Sequence, residues 1–131
     1  MDLPPSSLDA IRRVLASRDE VGAAYIFGSR ATSRARPESD LDIGVPYRTP
    51  QSLEHTIRLE GDLQEVARMK VDLIDVARAG AFLALDIIRG ERVFVRDTVE
   101  TDYFELYVLR RAGDLLPFER ERQALLLRAT Q

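Results

Sequence analysis

Four short apolar runs, set between longer amphipathic stretches, constrain this chain more than any other feature. Ala23 to Phe27, closed by Gly28, reads as a buried strand, and Leu41 to Val45 alternates until Pro46 stops it. Val71 to Val76 and Arg92 to Arg96 supply a third and a fourth strand. Ser6 and Ser7 are candidate caps for a first helix with Leu8, Ile11, Val14 and Leu15 on one stripe. A second helix is expected after Thr49 and Pro50, with Thr56, Leu59, Leu63, Val66 and Ala67 on its inner face. A third should run from Ala79 to Arg89 with Phe82, Leu85 and Ile88 inward and Gly90 as its C-cap. From Val99 the pattern is helical again, with Val99, Tyr103, Leu106 and Leu109 recurring at helical spacing. Gly113 and Pro117 are expected to break that helix before a last segment, Phe118 to Leu127. Strands this apolar need helices over them, so the order predicts an α/β (α+β) fold with a four-stranded sheet and packed helices.

Size and charge narrow the function. A chain of 131 residues is expected to form one domain, 1–131, with a core over about 8–97 and a C-terminal helical segment over 98–131. The formal net charge of −3 argues against a general nucleic-acid binder, which would show a basic excess. With no cysteine, disulfides and thiolate zinc sites are impossible, and a reducing cytoplasm is the expected compartment. The single histidine, His55, excludes a multi-histidine metal site. No stretch approaches the roughly 18 apolar residues of a membrane span, and Met1 to Pro5 lacks the pattern of a signal peptide. Of the 19 basic residues only Lys70 is a lysine, so any bound phosphate is expected to meet arginine, backbone amides or a metal.

The chemistry concentrates in Gly28-Ser29, a gap of ten residues, and Asp40-Leu41-Asp42. Residues two apart on a strand share a face, so Asp40 and Asp42 present two carboxylates side by side. Two like charges that close resist joint ionisation, and a divalent cation would relieve them. The donors are all hard oxygens, which suits magnesium or manganese. Asp72 would complete the cluster if the third strand lies beside the second. Gly28 lets the backbone approach a ligand, and Ser29 sits where a helical turn begins, a natural place for an anion. Carboxylates for metal beside amides and a hydroxyl for phosphate describe a site for a metal-bound nucleoside triphosphate.

Gly28-Ser29-Arg30-Ala31 and Ser39-Asp40-Leu41-Asp42, with Val71-Asp72-Leu73-Ile74-Asp75 and Gly90-Glu91-Arg92-Val93-Phe94, resemble the minimal nucleotidyltransferases of the DNA polymerase β-like superfamily. The resemblance covers about residues 8–97 and implies a small mixed four-stranded sheet. It also implies that Asp40, Asp42 and a third acid, by position Asp72, bind two magnesium ions, with manganese as the substitute. Asp75 competes for the third place, but strand alternation sets it on the opposite face from Asp72. Gly28, Ser29 and Arg30 would bind the triphosphate of ATP. Members of this length resemble the antitoxins of HEPN/MNT toxin–antitoxin pairs, which transfer AMP to a tyrosine of a HEPN ribonuclease toxin. A non-catalytic antitoxin that merely covers the toxin is the alternative. Thr32 and Ser33 stand where the family commonly has Arg and Gly, and Arg34 and Arg36 are the nearest replacement charges.

The remaining features read more plainly. His55 is expected on the surface, away from the acids. Tyr103, Tyr107, Arg110 and Arg111 read as a half-buried packing face with a solvated edge, with partner contact as the alternative, and Glu119 to Arg122 as solvated helix. Leu125-Leu126-Leu127 cannot all lie on one stripe, which suggests a partner or self-association surface.

Overall fold

A computed structural model describes residues 3–28 and 40–129. The elements run α1 (Pro5–Ala16), β1 (Ala23–Phe27), β2 (Leu41–Val45), α2 (Leu53–Ala67), β3 (Val71–Asp75), a 3-10 turn (Val76–Arg78), α3 (Ala81–Ile88), β4 (Glu91–Val95) and α4 (Thr98–Ala129). The sheet order is β3-β2-β1-β4. β1 pairs antiparallel with β2 and β4, whereas β2 and β3 are parallel, so the sheet is mixed as the resemblance implied.

Strand alternation divides the molecule into two layers. Ala24, Ile26, Leu41, Ile43, Val45, Val71 and Leu73 face α1 and α2, whose Ile11, Leu15, Leu59 and Leu63 complete that core. Ala23 and Tyr25 face the other way, toward Ala84 and Ile87 of α3 and Val108 of α4. Gly44 belongs to this second face, and a Cβ there would overlap Ile87, so the glycine lets α3 approach the sheet. Tyr25 is fully buried, and its hydroxyl donates to Glu105 Oε2 at 2.5 Å. Burial and that carboxylate push the phenol well above its ordinary pKa. Arg92 binds the same Glu105 at 2.6 Å and Asp102 at 2.7 Å, tying α4 to β1 and β4.

The inner stripe of α2 is the expected one, with Thr56, Leu59, Leu63 and Ala67 buried and Ser52 accepting from the His55 amide as N-cap. Other expectations need correction. Helix α1 starts at Pro5, with Pro4 as N-cap and no side-chain cap bond, so Ser6 and Ser7 lie inside it. Helix α3 buries Ala81, Ala84 and Ile87, while Phe82 is exposed. The small residues face the sheet because the layer there leaves little room. Residues 113–117 do not break α4: it is one helix of 32 residues with Pro117 inside. Its buried positions are Thr101, Val108 and Ala112, and the stripe of Val99, Tyr103, Leu106 and Leu109 faces outward.

Candidate functional site

β3 is an edge strand, and side chains of α2 fix it in place. The Leu73 amide donates to Glu60 Oε2 at 2.9 Å and the Val71 amide to Gln64 Oε1 at 3.1 Å. These bonds satisfy donors that an edge strand otherwise leaves open. They also set the height of Asp72 between them. In the parallel ladder Asp42 and Asp72 are register partners, one rung above Leu41 and Val71. The third strand therefore does lie beside the second, and Asp72 comes level with Asp42.

Asp42 is half-buried and Asp72 exposed. Burial raises the Asp42 carboxyl above its ordinary pKa, and the charges of Asp72 and Asp40 raise it further. The three carboxylates thus share one end of the sheet and repel one another. Asp40 Oδ2 lies 3.8 Å from Lys70 Nζ. Asp75 lies on the opposite face, buried, and accepts from the Ala77 amide at 3.0 Å as the cap of the 3-10 turn. Its role is structural, as alternation required.

Gly28 ends β1 at the same edge. Its φ of +74° lies in the left-handed region, and a Cβ would stand 2.5 Å from Asp42 Oδ2. The glycine therefore leaves room for a carboxylate of the site, a reason the sequence reading did not find. Gly28→Ala is expected to strain the backbone and push Asp42 aside. It should lower stability by about 1–3 kcal/mol, read by chemical denaturation. Ser29 and Arg30, together with Ala31, Thr32, Ser33, Arg34, Arg36 and Ser39, lie outside the described residues.

The donor set fits a hard divalent cation, since three carboxylate oxygens and their mutual repulsion call for one. Among the described residues no group of three His, Cys, Asp or Glu side chains is disposed as a ready metal cage.

Two competing features fall elsewhere. A cavity of about 660 Å³ opens beside Gly22, Pro46, Tyr47, Arg48, Glu100 and Phe104. Gly22 is separated from Gly28 by the length of β1, about 20 Å of extended chain. Two of the three acids that line it pair with cations of the fold, Glu100 with Arg48 at 3.1 Å and Glu20 with His55 Nε2 at 2.8 Å. His55 is therefore no ordinary surface residue: it is half-buried, with its ring edge-on to Tyr47. It stands away from Asp40 and Asp42, as expected. Tyr103 and Tyr107 are 70% and 61% exposed, so that patch is an outward face and not a packing one. Only Arg111 of that group turns inward, half-buried and bonded to the Ala79 carbonyl.

Residues 9–99 match the family described as "Polymerase beta, Nucleotidyltransferase". Over 63 residues the chain is 38% identical to "Putative protein adenylyltransferase MJ1217" of Methanocaldococcus jannaschii, covering 48% of this chain and 64% of that protein. The chain thus matches just under two thirds of that relative's length. A chain in the crystal structure of a toxin–antitoxin with AMP-PNP superposes with a TM-score of 0.77 at 19% identity, over 95% of this chain and 98% of that one. A chain in the structure of the tri-AMPylated Shewanella oneidensis HEPN toxin with its MNT antitoxin gives 0.72 at 18%, over 95% and 97%. At those identities the likeness is one of fold.

Proposed function

The chain belongs to the polymerase β nucleotidyltransferase family, and on that premise we propose that it transfers AMP from ATP to a hydroxyl of a partner protein. The acceptor in this reading is a tyrosine of a HEPN ribonuclease toxin, and the chain acts as its antitoxin in the cytoplasm. The observation that carries the reading is the shared edge of Gly28, Asp40, Asp42 and Asp72, with Asp42 and Asp72 in register. The fold of the toxin–antitoxin chains and the protein adenylyltransferase relative support the same direction.

In the proposed reaction the acceptor hydroxyl attacks the α-phosphorus of ATP. The bond to the β-phosphate oxygen breaks, and pyrophosphate leaves with its electron pair. Asp72, exposed at the sheet edge, would take the proton from an arriving macromolecular hydroxyl in this reading. Asp40, Asp42 and Asp72 would hold magnesium, two ions in the fullest form, or manganese in its place. When bound, the metal supplies positive charge to the phosphoryl oxygens and lowers the pKa of the acceptor hydroxyl. The Gly28 amide, the Ser29 hydroxyl and the Arg30 guanidinium would hold the triphosphate.

No helix among the described residues is long and apolar enough to cross a membrane. The outward face of α4 instead offers apolar side chains to a protein partner, Leu109, Leu116 and Phe118 among them.

Magnesium or manganese with ATP is expected to raise the melting temperature, because ligands that bind only the folded state stabilise it. At a hundredfold excess over Kd the gain is about 2.7 kcal/mol, several degrees for a chain of this size. The decisive measurement is the mass of the HEPN partner after incubation, which should rise by one or more AMP units. An unchanged partner mass with active protein, metal and ATP would refute the transferase reading.

A further inference from the structure

The one lysine of the chain stands at the acidic edge. Lys70 immediately precedes β3 as Asp40 precedes β2, and the Leu41 amide donates to the Lys70 carbonyl at 2.9 Å. The ladder register, Leu41 with Val71 and Asp42 with Asp72, carries back one step to set Asp40 beside Lys70. The side chains of Asp40 and Lys70 then share a face with those of Asp42 and Asp72, two residues on. The ammonium lies 3.8 Å from Asp40 Oδ2 and is otherwise largely in water. Among the described residues, three carboxylates and one ammonium meet here with a net charge of −2 when all are ionised, which a single divalent ion balances.

We infer that Lys70 is the resident counter-ion of the carboxylate cluster: it holds Asp40 away from Asp42 and Asp72 until a divalent ion displaces it. The inference rests on the metal-site reading above. Lys70 is thus a positioning residue, acting through Asp40. It opposes a cation at the cluster by competing for Asp40 and by its own charge. It favours the anionic triphosphate by the same charge. The sequence reading placed no lysine near the nucleotide; the parallel pairing of β2 and β3 puts the only one at the site.

Removing the charge should therefore move the two ligands in opposite directions, whereas damage to the fold would weaken both. The probe is Mn²⁺ alone, titrated at low ionic strength and followed by the electron paramagnetic resonance of the free ion. Wild type, Lys70→Met, Lys70→Arg and Asp42→Asn are compared. Lys70→Met should bind Mn²⁺ about two- to fivefold more tightly than wild type, the scale of one solvent-exposed ion pair. The same variant should bind ATP, with Mn²⁺ saturating, more weakly by a similar factor. Lys70→Arg should stay near wild type, and both shifts should shrink in high salt. Unchanged Mn²⁺ affinity in Lys70→Met, or a loss for both ligands, would overturn the inference while leaving the metal site standing. Wild type that binds Mn²⁺ no better than Asp42→Asn would sink the site reading itself, and the role of Lys70 with it.

Discussion

Changing both Asp40 and Asp42 to asparagine is expected to abolish AMP transfer while leaving the protein folded and able to bind its partner. The substitution keeps the shape of both side chains and removes two anionic oxygen sets. Metal assistance contributes several kcal/mol to transfer at a phosphorus centre, so the rate should fall by about a thousandfold or more. The fold should gain from the same change. In the folded protein the Asp42 carboxyl is raised above its ordinary pKa by burial and then by Asp72 and Asp40. A raised carboxyl favours the folded state in its protonated form. That contribution is full below the ordinary carboxylate range and is lost as pH rises through the raised value. At pH 7 the native carboxylate therefore costs stability, and the asparagine variant should melt higher than wild type. The difference should close as pH falls below the ordinary carboxylate range, where the carboxyl is protonated in the folded and the unfolded protein alike. Thermal melts at the two pH values, beside a transfer assay, separate the effects. Unimpaired toxin neutralisation by the double variant at equal concentration would favour the non-catalytic antitoxin.

The parts of this fold that could be read in advance are those where one physical signal dominates. β1, β2 and β3 were legible because each is an apolar run with a stop, and α2 because one stripe of five residues pointed inward. The Asp40–Asp42 pair was legible from period-two alternation, and Asp72 joined it once β2 and β3 proved parallel neighbours. What could not be read depended on pairings distant in sequence. Lys70 had no place at the site until strand register put it beside Asp40. His55 looked exposed until Glu20 and Tyr47 closed on it. Gly28 was assigned to a ligand, whereas its most direct constraint is the Asp42 carboxylate across the ladder. The outward stripe of α4 misled because apolar spacing marks a face without saying what the face meets. Ala112 and Val108 suffice to seat the helix on the second core layer, and the larger side chains are left outside.

Deleting residues 118–131 is expected to preserve the folded domain and its nucleotide site but weaken association with a partner by about a hundredfold or more. Helix α4 passes through Pro117, which lacks the amide that would bond the Gly113 carbonyl. Gly113 is exposed and a Cβ there would meet nothing within 4 Å, so the turn around the proline is not crowded by the rest of the fold. Ahead of that turn the helix is seated through Thr101, Val108 and Ala112; no residue over 113–129 is buried. A helix of 32 residues is about 48 Å long, so its distal third projects from the body of the sheet. Phe118, Leu125, Leu126 and Leu127 on that third are each more than half exposed. Full burial of such a side chain contributes about 1.5–3 kcal/mol. A few residues usually carry most of an interface, so loss of two of these would suffice for a hundredfold change, about 2.7 kcal/mol. Glu119 and Arg122 pair with each other along the helix at 2.5 Å. Sedimentation measures self-association of the truncated chain, and calorimetry with the HEPN protein measures the second contact. The metal-and-ATP thermal shift should be unchanged. Aggregation of the truncated chain, or loss of that shift, would assign the tail to the core of the domain and remove the docking role from α4.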